Sequence, residues 1–407
     1  MTFLLLNQTF FPDVSATGQY LTDLALGLAR KGHRVTVITS RRAYDSPATR
    51  FPKKELWQGI RVLRVFSTWF GKGTKWGRAL DALSFLTCCA LRLLVSARPD
   101  VVVALTSPPL IAFLAAGFAK TRRARMYYWV MDFNPDEAIA AGWLRSDSLS
   151  AKLLQRLSAF SLRHSTKIIA LDRFMHERIV ARGGARAKVS VLPLWSQDGS
   201  VNYDPAGRKR FRAEHGLTAK FVVMYSGNHS PCHPLDNLLR AAESLVSQPD
   251  ICFCFVGGGS EWTRLQATRA NVLFLPYQPL NRLSASLSAA DLHVVVMGEP
   301  FVGLVHPCKV YNLLKMPAPL LYIGPAESHV TEIMKAGCRN APAFLSASLC
   351  EVNKVVDHIR TQYAHPTRTN VTEPLSETVF SQEKILPQLI GLLESISPWD
   401  AADPGPG

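Results

Sequence analysis

Short apolar runs of four to eight residues alternate with segments of helical period along this chain, and the alternation starts afresh after residue 212. A strand that is apolar on both faces belongs in a parallel sheet covered by helices, and such a strand needs a crossover helix before the next one. In the first half the runs read as strands are Thr2–Asn7, Val35–Thr39, Ile60–Phe66, Val101–Thr106, Met126–Met131, Lys167–Leu171 and Val189–Pro193. Between the first two, Tyr20, Leu21, Leu24 and Leu28 line one helix face, and Gly32 suits that helix's C-terminus. The stretch Ser196–Arg212 is polar and turn-rich, and reads as an interdomain linker. Beyond it come strands at Phe221–Tyr225, Ile251–Val256, Val272–Leu275, Leu292–Met297 and Leu320–Ile323, with a helix at Asp236–Val246. The pattern predicts an α/β fold of two doubly wound, Rossmann-like domains in series. Residues 1–198 form one and 199–385 the other, with 386–407 a C-terminal helix and flexible tail.

Composition narrows the class. A hydrophobic content of 47% with 19% charged residues excludes a disordered chain. The net charge of +15 is one-sided, since residues 1–200 hold 29 basic and 13 acidic residues and the remainder 17 and 18. That asymmetry points the N-terminal half at something anionic: a phospholipid surface, a lipid-linked phosphate or nucleic acid. No RRM, KH or helix-turn-helix signature supports nucleic acid. The eight cysteines contain no CxxC and read as buried reduced thiols, with Cys252 and Cys254 on one strand face. The opening MTFLLLNQTFFPD lacks a signal peptide's basic region and cleavage site. The longest apolar stretches, 79–95 and 101–119, are interrupted by Asp81 and Arg92 and by Pro108–Pro109, short of the roughly 20 residues of a span. The expectation is a cytoplasmic protein, soluble or peripheral on the inner membrane face. The segments Trp76–Val95 and Leu110–Arg125 read as amphipathic docking elements.

In open α/β sheets, ligands collect at the carboxyl ends of the strands. That singles out the loops Asn7–Gly18, Asp132–Asp136, Ser226–His233, Gly257–Gly259, Tyr277–Pro279 and Gly298–Lys309, which would line one cleft between facing sheets. Gly257–Gly258–Gly259 either brings backbone close to an anionic ligand or makes a tight strand-to-helix turn. Gly227 and Asn228 either present amides to a phosphate or form a turn. The run from Glu299 to Lys309 is the most informative, because a loop glycine, several free amides and a lysine are what a diphosphate requires. Asp132, Asn134, Asp136 and Glu137 offer a general base and hydroxyl-binding groups, or an Asx turn and helix cap. No Ser-His-Asp, HExxH or DxD pattern is present, so no metal ligands are assigned.

Taken together, these residues resemble the retaining GT-B glycosyltransferases of family 4, in the group of bacterial exopolysaccharide and O-antigen sugar transferases. The resemblance covers nearly the whole chain. It rests on FFPDVSATGQYLTDLALGLARKGHRVTVIT, WVMDFNPDEAIAAG, VVMYSGNHSPCHPLDNLLRAAESL, FVGGG, FLPYQP, SAADLHVVVM and FVGLVHPCKVYNLL.

The resemblance implies that Gly18 approaches the donor phosphate and that Asp132 is the N-domain acid. It implies that Gly227 and Asn228 form a phosphate-facing turn, with Gly257 in the next loop. Tyr277 and Gln278 would hold the base, Gly303, Leu304 and Val305 would cover the sugar and diphosphate, and Lys309 would be the cation beside it. Glu299 stands, offset by one residue, for the first of the family's two glutamates, and the second falls near Asn312. Asn134 and Asp136 would face the acceptor. Where many members carry Arg, and Lys a few residues on, this chain has Asn228 and Cys232–His233, and Met131 replaces a common histidine. Lys309 is then the main cation of the donor half.

The implied activity is metal-independent, retaining transfer of a sugar from a nucleotide donor, UDP-linked by preference, to a lipid-linked or growing glycan. No cofactor is needed, since the nucleotide-sugar is the co-substrate. Two other readings stand beside it: a sugar-nucleotide 2-epimerase, and a catalytically degenerate membrane-associated binding protein.

Overall fold

The computed structural model describes residues 1–13, 15–43, 49–70, 75–196, 201–266, 269–336, 343–367 and 380–395. The expected tail from 396 onward and Cys338 lie outside the described residues. The chain separates into two units, Met1–Pro193 with the residues from Glu383, and Leu194–Gln382.

The first unit is built on an eight-stranded sheet. In chain order its strands are β1 (Thr2–Leu6), β2 (Arg34–Ser40), β3 (Lys54–Trp57), β4 (Ile60–Val65), β5 (Val101–Ala104), β6 (Arg125–Trp129), β7 (Lys167–Ala170) and β8 (Val189–Val191). They lie in the order β3-β4-β2-β1-β5-β6-β7-β8. All pairings are parallel except β3 with β4. That hairpin turns through Gln58 and Gly59, both at positive φ (50° and 79°). A two-residue loop needs such backbone to follow the right-handed strand twist. β3 was not among the expected strands. Its sequence KELW alternates exposed and half-buried residues at a sheet edge, so it carries no continuous apolar run. The helix Gln382–Glu394 begins before residue 386 and packs on this unit, with Ile390 and Leu386 against Gly27 and Glu394 bonded to Lys31 and His33.

The second unit has a wholly parallel six-stranded sheet. Its strands are β9 (Phe221–Asn228), β10 (Ile251–Gly258), β11 (Val272–Leu275), β12 (Leu292–Val296), β13 (Leu320–Ile323) and β14 (Phe344–Ala347). The last was also unexpected. The order β11-β10-β9-β12-β13-β14 is that of a dinucleotide-binding fold. It reverses between β9 and β12, and the first unit's parallel strands reverse likewise between β1 and β5. Crossovers leave to opposite faces there, so the strand ends open onto a crevice.

Alternate residues of β9 and β10 supply both faces. Val223, Tyr225, Phe253 and Phe255 pack with Leu238, Ala242 and Ile359 on one side. Val222, Met224 and Cys254, with half-buried Cys252, pack with Phe211 and Leu217 on the other. The two thiols do share a face, and burial pushes the Cys252 thiol up. Cys350, in contrast, is exposed.

The expected linker is a linker only in part. Residues 197–200 lie outside the described residues, but Pro205–Glu214 is a helix of the second unit. Asp204 caps it by accepting from the Gly207 amide at 2.8 Å, and Pro205 fits the first turn, where an amide is not needed. Arg208 and Arg212 both reach Asp291, at 2.6 and 2.8 Å, and the Val222 amide donates to the same carboxylate at 2.9 Å. Burial alone would raise the Asp291 carboxyl; Arg208, the Val222 amide and Arg212 outweigh it and hold the group below the usual range. A charged sequence is thus buried by pairing, which hydropathy does not register.

Candidate functional site

The loops after β9 and β12 meet at the switch point of the second unit. His233 donates from Nδ1 to the Val296 carbonyl at 2.7 Å, and the Gly298 amide donates to Cys232 O at 2.9 Å. At the tip of β9, Tyr225 is fully buried and its hydroxyl donates to Asn228 O at 2.6 Å. The following turn is held to β10 by the His229 amide, which donates to Gly258 O at 2.7 Å.

Glycine is obligatory where these turns touch. Gly227 and Gly257 are paired across β9 and β10 with φ of 146° and 143°. A Cβ on Gly257 would stand 2.0 Å from Gly227 O, which no side chain tolerates. Close packing of the two turns therefore accounts for Gly257. The helix after the glycine run, Trp262–Leu265, is a single turn.

Lys309 opens the short helix Lys309–Leu313 and reaches back over this turn. Its Nζ lies 3.8 Å from the centroid of the Tyr225 ring. A Cβ added to Gly227 would lie 2.6 Å from that nitrogen. The ammonium is buried and has no hydrogen-bond partner. Burial brings it down from an ordinary 10.5 to about 7. His229, 5.4 Å from Tyr225 between ring centroids, is lowered to about 4 by burial first and by the Lys309 charge as well, with its Gly258 contact opposing. His233 is lowered to about 3, again chiefly by burial, then by Lys309. The lysine is thus flanked by two neutral imidazoles and a phenol. A cation in such surroundings is poorly solvated until an anion arrives.

The other donor-side candidates are placed as follows. Asn228 is exposed and its Oδ1 would meet a Cβ on Gly259 at 2.3 Å. Tyr277 is 52% exposed, its ring lies beside Gly258, and its hydroxyl donates to Gly258 O at 3.1 Å. Gln278 turns to its own loop, donating to Pro276 O at 3.0 Å. Glu299 is exposed at the start of a 3-10 turn. Gly303 has a φ of 75°. The expectation of several free amides here needs correction, because Leu304 and Val305 both donate to Phe301 O, at 2.9 and 3.1 Å. That carbonyl closes a tight turn around buried Phe301 and uses both donors.

In the first unit, Gly18 is not a loop residue. It lies in the helix Ala16–Arg30, its amide donates to the capping Ser15 hydroxyl at 3.2 Å, and a Cβ would meet Ser15 and Thr9 at 2.9 and 3.1 Å. Packing of the β1 loop on the helix explains the glycine. Asp132 is half-buried after β6, its amide donating to Thr106 Oγ1 at 3.4 Å. Asn134 donates to Glu137 at 3.1 Å and lines a cavity of about 110 Å³ with Leu105, Thr106, Tyr128, Leu154 and Ser158. Asp136 is ion-paired with Arg182, whose Nε donates at 2.7 Å, so its carboxylate already has a fixed cation.

Residues passed over in the sequence are Tyr225, His229 and His233 as the surroundings of Lys309. The aromatic strand end and two histidines within eight residues were visible, but their convergence on a lysine 76 to 84 positions later was not.

Comparison with known proteins agrees with this architecture. Residues 15–195 match the glycosyl transferase 4-like domain. The Escherichia coli K12 protein WcaI, named as a colanic acid biosynthesis glycosyl transferase, is 26% identical over 424 residues, covering 96% of this chain and 99% of that one. Sucrose-phosphate synthase from Thermosynechococcus elongatus superposes with a TM-score of 0.72 at 15% identity, covering 96% and 98% of the two chains. Anabaena HepE, solved in complex with UDP-glucose, gives 0.68 at 16%, covering 97% and 100%. The chain is a glycosyltransferase with the two Rossmann-like domains of the GT-B fold, and its residues 15–195 are similar to the glycosyl transferase 4-like domain.

Proposed function

We propose that this enzyme moves a sugar from a UDP-linked donor, bound by the second unit, to a lipid-linked glycan served by the first, with retention at the anomeric carbon. The observation that carries the reading is Lys309: a buried ammonium with no hydrogen-bond partner, over the Gly227 turn at the sheet's switch point. A diphosphate placed there would satisfy the cation. As the sugar–phosphate bond breaks, charge grows on the leaving oxygen, and a fixed cation in a dry site stabilises that charge more than the ground state. In this scheme Lys309 supplies what a divalent ion supplies elsewhere, and the reaction proceeds in chelator.

Retention follows if the acceptor hydroxyl enters on the face the phosphate leaves, with that phosphate taking the proton. The exposed Tyr277 ring beside Gly258 suits a flat base. Asp132 and Asn134 are the groups offered to the acceptor, with Glu299 on the donor side. The bound UDP-glucose of HepE and the name of WcaI support a nucleotide-sugar donor and an exopolysaccharide product. The basic first unit supports a peripheral contact with an anionic membrane.

Calorimetry with UDP and GDP tests the donor site, and Lys309→Ala should lower turnover on the order of 10²–10³-fold. If neither nucleotide binds and Lys309→Ala behaves as wild type, the reading is wrong. With donor alone, release of a 2-epimerised nucleotide-sugar would instead identify an epimerase.

A further inference from the structure

The helix Lys75–Leu94 turns a mostly apolar side outward, where a surface helix is ordinarily polar; exposed Thr87 lies within that side, its hydroxyl donating to Leu83 O at 2.9 Å. Phe85, Cys89 and Leu93 are buried against the first unit. On the opposite side Trp76 is 82% exposed, Leu83 60% and Leu94 70%, with Leu80 and Leu91 also exposed. At 100° per residue these five side chains fall within a sector of about 80°, running about 27 Å along the helix. A surface helix normally turns charge outward here, and an apolar stripe of this length on a folded protein marks a contact surface. The other segment expected to dock, Leu110–Arg125, does not share the property. Ile111, Ala112, Ala115, Ala116, Phe118 and Ala119 of helix Ile111–Arg122 are buried.

The electrostatics choose the partner. Arg122 donates to Leu94 O at 2.9 Å and Arg98 donates to Arg123 O at 3.0 Å, so three arginines gather at the stripe's C-terminal end. The helix's one acid, Asp81, faces the preceding loop, accepting from Thr68 Oγ1 at 2.8 Å and the Phe70 amide at 2.9 Å. We infer that this stripe lies in the interfacial plane of an anionic bilayer, Trp76 and the leucines entering the acyl boundary and the arginines pairing with lipid phosphates. Tryptophan and arginine at the ends of a leucine stripe suit that depth. Among the described residues no helix is long and apolar enough to cross a membrane, so this contact is with one leaflet. The inference rests on the membrane-borne acceptor proposed above but is tested apart from it.

The test is co-sedimentation of the full chain with vesicles of phosphatidylcholine plus phosphatidylglycerol, beside phosphatidylcholine alone. The wild type should pellet with the anionic vesicles, and Leu83→Glu/Leu91→Glu should cut partitioning about tenfold or more. The milder Leu83→Ser/Leu91→Ser should cut it less, each variant keeping the wild-type thermal midpoint and UDP heat. Equal pelleting of the variants and wild type overturns the inference, as does failure of the wild type to pellet. So does light scattering that shows a dimer dissolved by the same substitutions, since the stripe would then seat a second copy. Loss of UDP binding with vesicle binding intact would strike the donor reading alone.

Discussion

Lys309 Nζ stands 3.8 Å from the centre of the Tyr225 ring with no hydrogen-bond acceptor, so the second unit gives this cation a ring face but no hydrogen bond. In the free protein the group titrates at about 7, well below an unfolded lysine. The unfolded chain therefore binds more protons between about pH 7 and 10.5, and the cost of burying the charge, complete below pH 7, is relieved progressively across that window. Binding a diphosphate reverses the preference, because it stabilises the ammonium. UDP should bind with proton uptake above neutrality, its affinity falling by up to about tenfold per pH unit between about pH 7 and 9. Lys309→Arg, which stays charged, should remove the alkaline fall. Lys309→Met should raise the free protein's thermal midpoint below pH 7 while weakening UDP binding. A UDP profile in the wild type that is flat across neutrality would remove Lys309 from the phosphate site.

Gly257 offers a steric test. A Cβ there would stand 2.0 Å from Gly227 O at a φ of 143°, so Gly257→Ala must push the β9 and β10 turns apart. Strain of about 1–3 kcal/mol is expected, with UDP affinity lost in proportion to the displaced Gly227 turn. Gly391, inside the helix Gln382–Glu394, has open space around its would-be Cβ. Gly391→Ala should stabilise by about 0.5–1 kcal/mol. Urea unfolding of both variants reads the contrast directly.

Asp291 tests the helix that a hydropathy reading takes for linker. Its carboxylate is shared by Arg208, Arg212 and the Val222 amide. Asp291→Asn keeps the shape and leaves two largely buried guanidinium groups without their counter-charge. A loss of about 3–5 kcal/mol is expected. If Pro205–Glu214 were a loose connector, the same substitution would leave the urea midpoint unchanged.

These residues also show what sequence patterning can and cannot carry. Parallel strands buried on both faces announce themselves as apolar runs, which is why β1, β5, β10 and β12 were read within a residue or two, whereas β9 runs three residues beyond its apolar run, through Ser226, Gly227 and Asn228. β3 escaped because an edge strand with one wet face has no such run. The helix Pro205–Glu214 escaped because Arg212 is buried by charge pairing rather than by hydrophobicity. At Gly18 and Gly257 close packing, against Thr9 and against Gly227, requires glycine independently of any ligand, a reason that no sequence pattern displays. Lys309 was singled out from its loop, but its lack of a partner is a property of three dimensions. The same holds for the amides of Leu304 and Val305, which one carbonyl takes up.

The histidines around the lysine give an acid limit to the second unit. His233 and His229 are held neutral in the fold, at about 3 and about 4, against an ordinary 6.5. A base depressed by folding leaves stability complete above 6.5 and withdraws it as pH falls toward the folded value, because only the unfolded chain takes the proton. Each such histidine steepens the loss by up to about 1.4 kcal/mol per pH unit within that window. His233→Phe deletes one titrating group together with its bond to Val296 O. The variant should be less stable than wild type at pH 7.5, by about 1 kcal/mol for the lost hydrogen bond. It should also lose stability less steeply between about pH 6 and 4.5, so that the two curves converge or cross. Urea titrations across that range decide the matter, and parallel curves would mean that His233 is protonated in the native state.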